Sequence, residues 1–251
     1  MGSEMCIRDR MSTFVIAAIA IFLLGASKAG LKGLGIIVVA LMALAYPVKS
    51  STGLLLILLV LFDICAVIYY RRNVKWPYLY KFLPAMVVGI ILAAWIGKDL
   101  DEASFKQVMA SIILISVGIM FWRDRRTNQE FPKGWLFAGS TGIAAGFTTM
   151  MGNLAGAFAN LFFLATGLKK NEIIGTAAWL FLIINIIKLP FHIWWWKTID
   201  QGSLFTVFPL VPFGLIGFLV GLKVVQLFDE KTFRLFLLLI TALGAIIIFL
   251  K

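Results

Sequence analysis

The chain has 251 residues, of which 61% are hydrophobic and 14% charged, and it carries a formal net charge of +11. An apolar share of this size lies well above that of soluble domains and excludes a soluble enzyme or binding module as the body of the chain. The positive charge does not signal nucleic-acid binding, because the Lys and Arg residues lie in short loops beside apolar segments, where membrane proteins concentrate them.

The first ten residues, MGSEMCIRDR, are polar and have no counterpart later in the chain. They read as a non-native tail, with Met11 as the expected start and no cleavable signal peptide. Setting the tail aside removes Cys6 and leaves Cys65 inside an apolar run, so no disulfide framework is expected.

From Met11 onward ten apolar segments are expected, at 11–25, 35–47, 53–70, 79–97, 107–122, 135–148, 154–167, 173–193, 205–222 and 235–250. The fold class this implies is an all-α polytopic membrane protein. Its two halves repeat. DEASFK at Asp101–Lys106 returns as DEKTFR at Asp229–Arg234, and Pro84 with Gly89 is echoed by Pro209 with Gly214. A polar residue interrupts an apolar run in each half, Asp63 in the first and Asn185 in the second. The expected organisation is a first membrane repeat over 11–122, a cytoplasmic linker over 123–134 and a second repeat over 135–251.

In each repeat the first two segments are short, about 13–15 residues against the ~20 that a spanning helix needs. Each short pair is joined by a Gly-rich break, GASKAGLKGLG at Gly25–Gly35 and GFTTMMGNLAG at Gly146–Gly156. The two arms either form a re-entrant hairpin or each cross with a tilt. Five segments per half is an odd number, so the halves are expected to be inverted relative to one another, with both termini outside. Loop charge agrees: Arg71, Arg72, Lys75, Lys81, Arg123, Arg125, Arg126, Lys133, Lys169, Lys170, Lys223, Lys231 and Arg234 then share the cytoplasmic side. The external loops keep Lys49, Lys98, Lys106, Lys197 and Lys251, and Trp194, Trp195 and Trp196 are expected in the interfacial aromatic belt. Two inverted halves around a midplane site are the layout of a secondary transporter.

The breaks are the first candidates for chemistry. A helix that restarts after a glycine break presents free N–H groups and the positive end of its dipole, an anion site in low dielectric. The first break adds Ser27, Lys28 and Lys32, and the second Thr148, Thr149 and Asn153. The competing role of the glycines is close helix packing. Asp63 and Lys188 are ionisable groups deep in apolar runs, where charge is costly and faces a cavity or a partner. Asp63 and Asn185 occupy matching repeat positions and are expected to face one another, with Asp63 a candidate proton carrier. Lys188 either serves coupling or snorkels to the interface. His192, the single histidine, is expected at the external interface, and a His-based metal site is not expected. In PVKSSTG, Ser50, Ser51 or Thr52 is expected to cap the next helix, with Lys49 in a lesser role gathering anions. No catalytic residue, metal or cofactor is assigned.

The stretches SKAGLKGLG, YPVKSSTGLLLILLVLFDICAVIYYRRNVKW, GFTTMMGNLAGAF and GTAAWLFLIINIIKLPF resemble the sulfite exporter TauE/SafE family of bacterial permeases, over nearly the whole chain after Met11. Ala40 stands where similar sequences often carry a proline. The resemblance implies a cytoplasmic-membrane transporter that exports sulfur oxyanions or organosulfonates. The expected partners are a small anionic substrate, the lipid bilayer and protons as coupling ion. The alternatives are a small-anion channel, which needs a continuous polar path, and an intramembrane enzyme acting on lipid phosphate. The enzyme would need acids with Arg or His at a break, and neither break contains Asp, Glu, Arg or His.

Overall fold

The computed structural model describes residues 2–31, 33–125 and 134–224, and among them every regular element is helical. The elements are α1 (Gly2–Lys28), α2 (Leu34–Ala45), α3 (Val48–Tyr70), α4 (Trp76–Lys98), α5 (Glu102–Arg125), α6 (Trp135–Gly152), α7 (Gly156–Ala165), α8 (Lys170–Pro190), α9 (Gln201–Val207) and α10 (Val211–Val224). The tenth apolar segment, the DEKTFR motif, Lys32 and most of the 123–134 linker lie outside the described residues. Among the described residues six helices are long and apolar enough to cross a membrane: Met11–Lys28, Val48–Asn73, Trp76–Lys98, Glu102–Ile119, Asn171–Trp195 and Gln201–Val224. The outward face of α4 exposes Ile91, Leu92, Trp95 and Ile96, a surface suited to acyl chains rather than water.

The first arm of each half is longer than expected. α1 is continuous from Gly2 to Lys28, and α6 runs 18 residues to Gly152, so the breaks shrink to 29–33 and 153–155. The reason is that Gly25 and Gly146 are helix-crossing residues. A Cβ at Gly25 would stand 1.9 Å from the Gly214 carbonyl oxygen, and one at Gly146 would stand 1.9 Å from the Met86 carbonyl oxygen. Close packing of α1 on α10 and of α6 on α4 claims these two glycines, and helix geometry survives around them. The chain turns instead at Gly30 and Gly33, with φ of 119° and 98°, and at Asn153, with φ of 58°. After each turn the chain doubles back, α2 packing on α1 and α7 on α6.

The middle of the molecule is formed where α3 packs along α8, flanked by the α1–α10 and α4–α6 pairs. Phe62, Phe82, Met42, Leu56, Leu58 and Met86 are fully buried there, and Phe82 stacks on Phe162 of α7 at 4.2 Å. This ring contact joins α7 to α4.

The start of α3 is capped from another helix. Val48 is its first residue and Pro47 supplies no side-chain cap, so the expected caps at Ser50, Ser51 and Thr52 are not used. The Ser51 and Thr52 hydroxyls donate back to the Val48 and Lys49 carbonyls, each at 2.7 Å. Glu102, in the first turn of α5, accepts the Val48 N–H, and a carboxylate there suits the positive end of the α3 dipole. Lys49 donates to the carbonyls of Lys98 at 3.0 Å and Leu100 at 3.1 Å, closing the end of α4 rather than reaching for anions.

α8 ends in a device of its own. Pro190 has no N–H, and the helix widens into a π turn over Phe191–Trp195, with the Trp196 N–H reaching the Phe191 carbonyl at 2.7 Å. The widening turns Trp196 inward, where its indole N–H donates to the Ala94 carbonyl at 2.9 Å. Trp194 and Trp195 are exposed, but Trp196 is buried, so the expected belt has two members at this turn and not three. His192 is buried as well, its Nδ1 at 2.7 Å from the Thr198 hydroxyl. The segment predicted over 205–222 is divided into α9, a 3-10 turn at Phe208–Leu210 and α10, since Pro209 and Pro212 deny two amide donors. Asp200 caps α9, accepting from the Ser203 amide at 2.7 Å. The Ser203 hydroxyl and amide hold the exposed Asp200 carboxyl below the usual range.

Candidate functional site

Two oppositely placed turns of chain meet across the α3–α8 pair. The 29–33 turn is tied to the end of α3, where the Tyr70 hydroxyl donates to the Ala29 carbonyl at 2.7 Å. The Asn153 turn is tied to the start of α3, its amide donating to the Thr52 carbonyl at 3.1 Å. Between them lies a cavity of about 170 Å³. Its polar lining is Ser27, Lys28, Asp63, Thr149, Asn153, Asn160 and Asn185. Its walls include Gly33 and Gly35 at the start of α2 and Ala155, Gly156 and Ala157 at the start of α7, so both restarting helices open onto it.

A single hydrogen-bonded chain threads this site. Lys28, in the last turn of α1, forms an ion pair with Asp63 and stands 5.0 Å from the centre of the Phe181 ring. Asp63, wholly buried on α3, also accepts from the Asn185 amide at 2.7 Å. Two donors on one carboxylate are the partners of its ionised form. The Asn185 oxygen accepts from Lys188 at 3.2 Å, and Lys188 donates further to the Asn153 oxygen and to the Thr149 hydroxyl at 3.3 Å. Lys188 is fully buried and its three N–H groups each have a protein acceptor, so it does not snorkel to an interface. It lies behind the cavity wall and holds three lining side chains in place.

The sequence-derived candidates divide accordingly. Ser27, Lys28, Asp63, Thr149, Asn153 and Asn185 line the cavity, and Lys188 braces them. Thr148 faces its own helix, its hydroxyl donating to the Ala144 carbonyl at 2.8 Å. Lys32 is outside the described residues. Sequence reasoning missed Asn160, an amide on α7 in the otherwise apolar run AGAFANLFFLA. The same isolation that marked Asp63 and Asn185 marks it too. It also missed Phe181, whose role as a face for the Lys28 ammonium has no sequence signature. Among the described residues no group of three His, Cys, Asp or Glu side chains could hold a metal ion.

An apolar helical body with a charged, hydrogen-bonded cavity at its centre defines a multi-pass membrane protein of the permease class. The chain belongs to the sulfite exporter TauE/SafE family, whose family model matches residues 17–248. This is a family of transporters for sulfite and related sulfur compounds. No curated protein and no solved structure matches the chain.

Proposed function

We propose that this chain is a secondary transporter that exports small anions, sulfur oxyanions or organosulfonates such as sulfite, across the bacterial cytoplasmic membrane. The observation that carries the reading is the cavity onto which both broken helix pairs open, with Lys28, Thr149 and Asn185 in its wall. Lys28 spends one N–H on Asp63 and has two more to offer an oxyanion. The restarting ends of α2 and α7 add backbone N–H groups where water is scarce.

The reading includes two inverted halves with both termini on the periplasmic side and re-entrant broken pairs. Mirrored crossings support the repeat. α1 of the first half packs on α10 of the second through Gly25 and Gly217, whose Cβ would stand 1.9 Å from the Phe22 carbonyl oxygen. α6 of the second half packs on α4 of the first through Gly146 and Gly89, whose Cβ would stand 2.1 Å from the Ile143 carbonyl oxygen. Gly25 lies three positions after Phe22, as Gly146 does after Ile143, so the two crossings have one pattern. The loop charges support this choice of sides.

For a monovalent anion leaving a cell with a negative interior, the membrane potential contributes about 2.3 kcal/mol per 100 mV, which drives export without a coupling ion. Protons as coupling ion would load on Asp63, the carboxylate of the network. The test is flux by the purified chain in liposomes against sulfite, thiosulfate, sulfonates, sulfate, phosphate and carboxylates. Saturable flux of one sulfur anion is the expected result. Flux that rises linearly with concentration would instead make the protein a channel, and no flux of any sulfur anion would remove the assigned cargo.

A further inference from the structure

α3 and α8 run antiparallel. Asp63 meets Asn185, a Cβ at Gly175 would stand 2.9 Å from the Tyr70 carbonyl oxygen, and one at Gly53 would stand 2.5 Å from the Thr198 carbonyl oxygen. The cavity is not centred on this pair. On α8 its wall begins at Ile173, in the first turn, and stops at Asn185, and on α3 it runs from Leu59 to Ala66. Residues 48–58 and 186–195, all described, take no part in the wall. The cavity thus reaches toward the end of α3 and the start of α8. Exposure has the same sense: the Lys28 side chain, beside the 29–33 turn, is 13% exposed, whereas Asp63, Lys188 and His192 are 0%.

In the other direction the pair is tied shut in two tiers. The first is Asn153, whose oxygen accepts from Lys188 while its amide donates to the Thr52 carbonyl at 3.1 Å, so one side chain links α8 to α3. The second tier is the segment after the π turn. The His192 Nδ1 lies 2.7 Å from the Thr198 hydroxyl, the Thr198 amide donates to the His192 carbonyl at 2.9 Å, and the Thr198 carbonyl rests on Gly53. Gly53 is about 15 Å from Asp63 along α3, so the second tier lies well outside the first. The links are hydrogen bonds and a backbone approach to glycine, and water can replace such bonds when they part.

We propose that this arrangement is one half of an access cycle: the site is open toward the side where α3 ends and is latched shut toward the side where α3 starts, by Asn153 on Thr52 and Thr198 on Gly53. The inference rests on the carrier reading above and deepens it, because a carrier exposes one site to one side at a time. With the orientation proposed above, the open side is cytoplasmic, where an exporter loads. Asn153 stands in the cavity wall and in the latch at once, so a bound anion that draws its amide inward loosens the latch from within.

The experiment uses the full chain with Cys6→Ser and Cys65→Ser, in sealed vesicles of either orientation, and a membrane-impermeant maleimide. Arg72→Cys, exposed just past the end of α3, marks the side. Ala178→Cys, in the cavity wall, is expected to react from the Arg72→Cys side alone. Thr52→Cys, behind the first tier, is expected to react at least about tenfold more slowly from either side, the scale of a hydrogen bond that has to open first. Adding Asn153→Ala or Gly53→Ala is expected to speed the Thr52→Cys reaction about tenfold from the side opposite Arg72→Cys. Ala178→Cys that reacts only from that opposite side, or from neither, overturns the inference and leaves the carrier reading standing. So does Thr52→Cys that reacts as fast as Ala178→Cys, and none of these results needs a latch variant to fold. Folded Asn153→Ala and Gly53→Ala proteins that both leave Thr52→Cys shielded also overturn the latch. Ala178→Cys that reacts equally from both sides makes the cavity a pore, and then the carrier reading falls as well.

Discussion

Asn185 on α8 donates its amide to Asp63 on α3 across 2.7 Å, while its oxygen accepts from Lys188 at 3.2 Å. One neutral side chain thus joins a buried carboxylate to a buried ammonium. It also joins the two halves of the chain, 122 positions apart in sequence. Replacing it by Leu leaves Asp63 short of a donor and Lys188 short of an acceptor. Each unmade bond at a buried group costs about 1–3 kcal/mol. Asn185→Leu is therefore expected to lower the unfolding midpoint in detergent by several degrees, and an unchanged midpoint would show that the network does not brace the α3–α8 pair.

Lys28 and Thr149 present donors from opposite turns of the site. Lys28→Ala is expected to raise the half-saturation concentration for a transported sulfur anion about 10–100-fold, the scale of a charge-assisted hydrogen bond, and Thr149→Ala about 3–10-fold. Lys28→Ala also strips Asp63 of its ion-pair partner. The double variant Lys28→Ala, Asp63→Asn separates lost binding from lost folding. If both single variants keep the unaltered affinity, the anion does not bind at the turns.

Asp63 is the carboxylate that a coupling proton would occupy. If it does so, flux through the unaltered protein changes with pH, and Asp63→Asn moves its anion at a rate independent of pH over the same interval. The check is initial flux in liposomes at matched internal and external pH. An Asp63→Asn profile that follows the unaltered one takes this residue out of coupling.

At the α4–α6 crossing a methyl group has nowhere to go. Gly146→Ala pushes a Cβ onto the Met86 carbonyl, and overpacking of this kind costs about 1–3 kcal/mol. Gly139, on the same helix, has no described atom beyond its own stretch of helix within 4 Å of its Cβ position, and Ala there removes backbone freedom from the unfolded chain. The two single substitutions are expected to move the midpoint in opposite directions, Gly146→Ala down and Gly139→Ala level or up.

Glu102 caps α3 from α5 at the Val48 amide. Glu102→Ala is expected to cost about 0.5–2 kcal/mol, the range for losing a helix cap, and to speed amide exchange at Val48 and Lys49. Ser51→Ala, which removes a hydroxyl bonded only to its own helix, is expected to leave exchange at Val48 unchanged.

How much of this was legible in the sequence differs from element to element. The runs at 53–70 and 79–97 foretell α3 and α4 to within a few residues, because a long apolar segment in lipid has to satisfy its own backbone and helix is the local way to do so. Asp63, Asn185 and Lys188 stand out for the same energetic reason: a polar group at that depth is expensive without a partner. What could not be read was the reach of the first arms. Gly25 and Gly146 look like helix breakers in sequence, and only the carbonyls of Gly214 and Met86, packed against them, show that they are contact points. The neighbours of His192 and Trp196 in sequence point to an interface, and the π turn after Pro190 carries both inward.

By itself, the sequence determined the class of molecule and the residues that would be costly to bury, because both follow from composition and local spacing. The tertiary structure alone decided which of those residues pair, that Lys28 meets Asp63 while Lys188 is left to three neutral oxygens. That choice depends on side chains brought together from α1, α3, α6 and α8, and no local pattern in the chain encodes distances between helices.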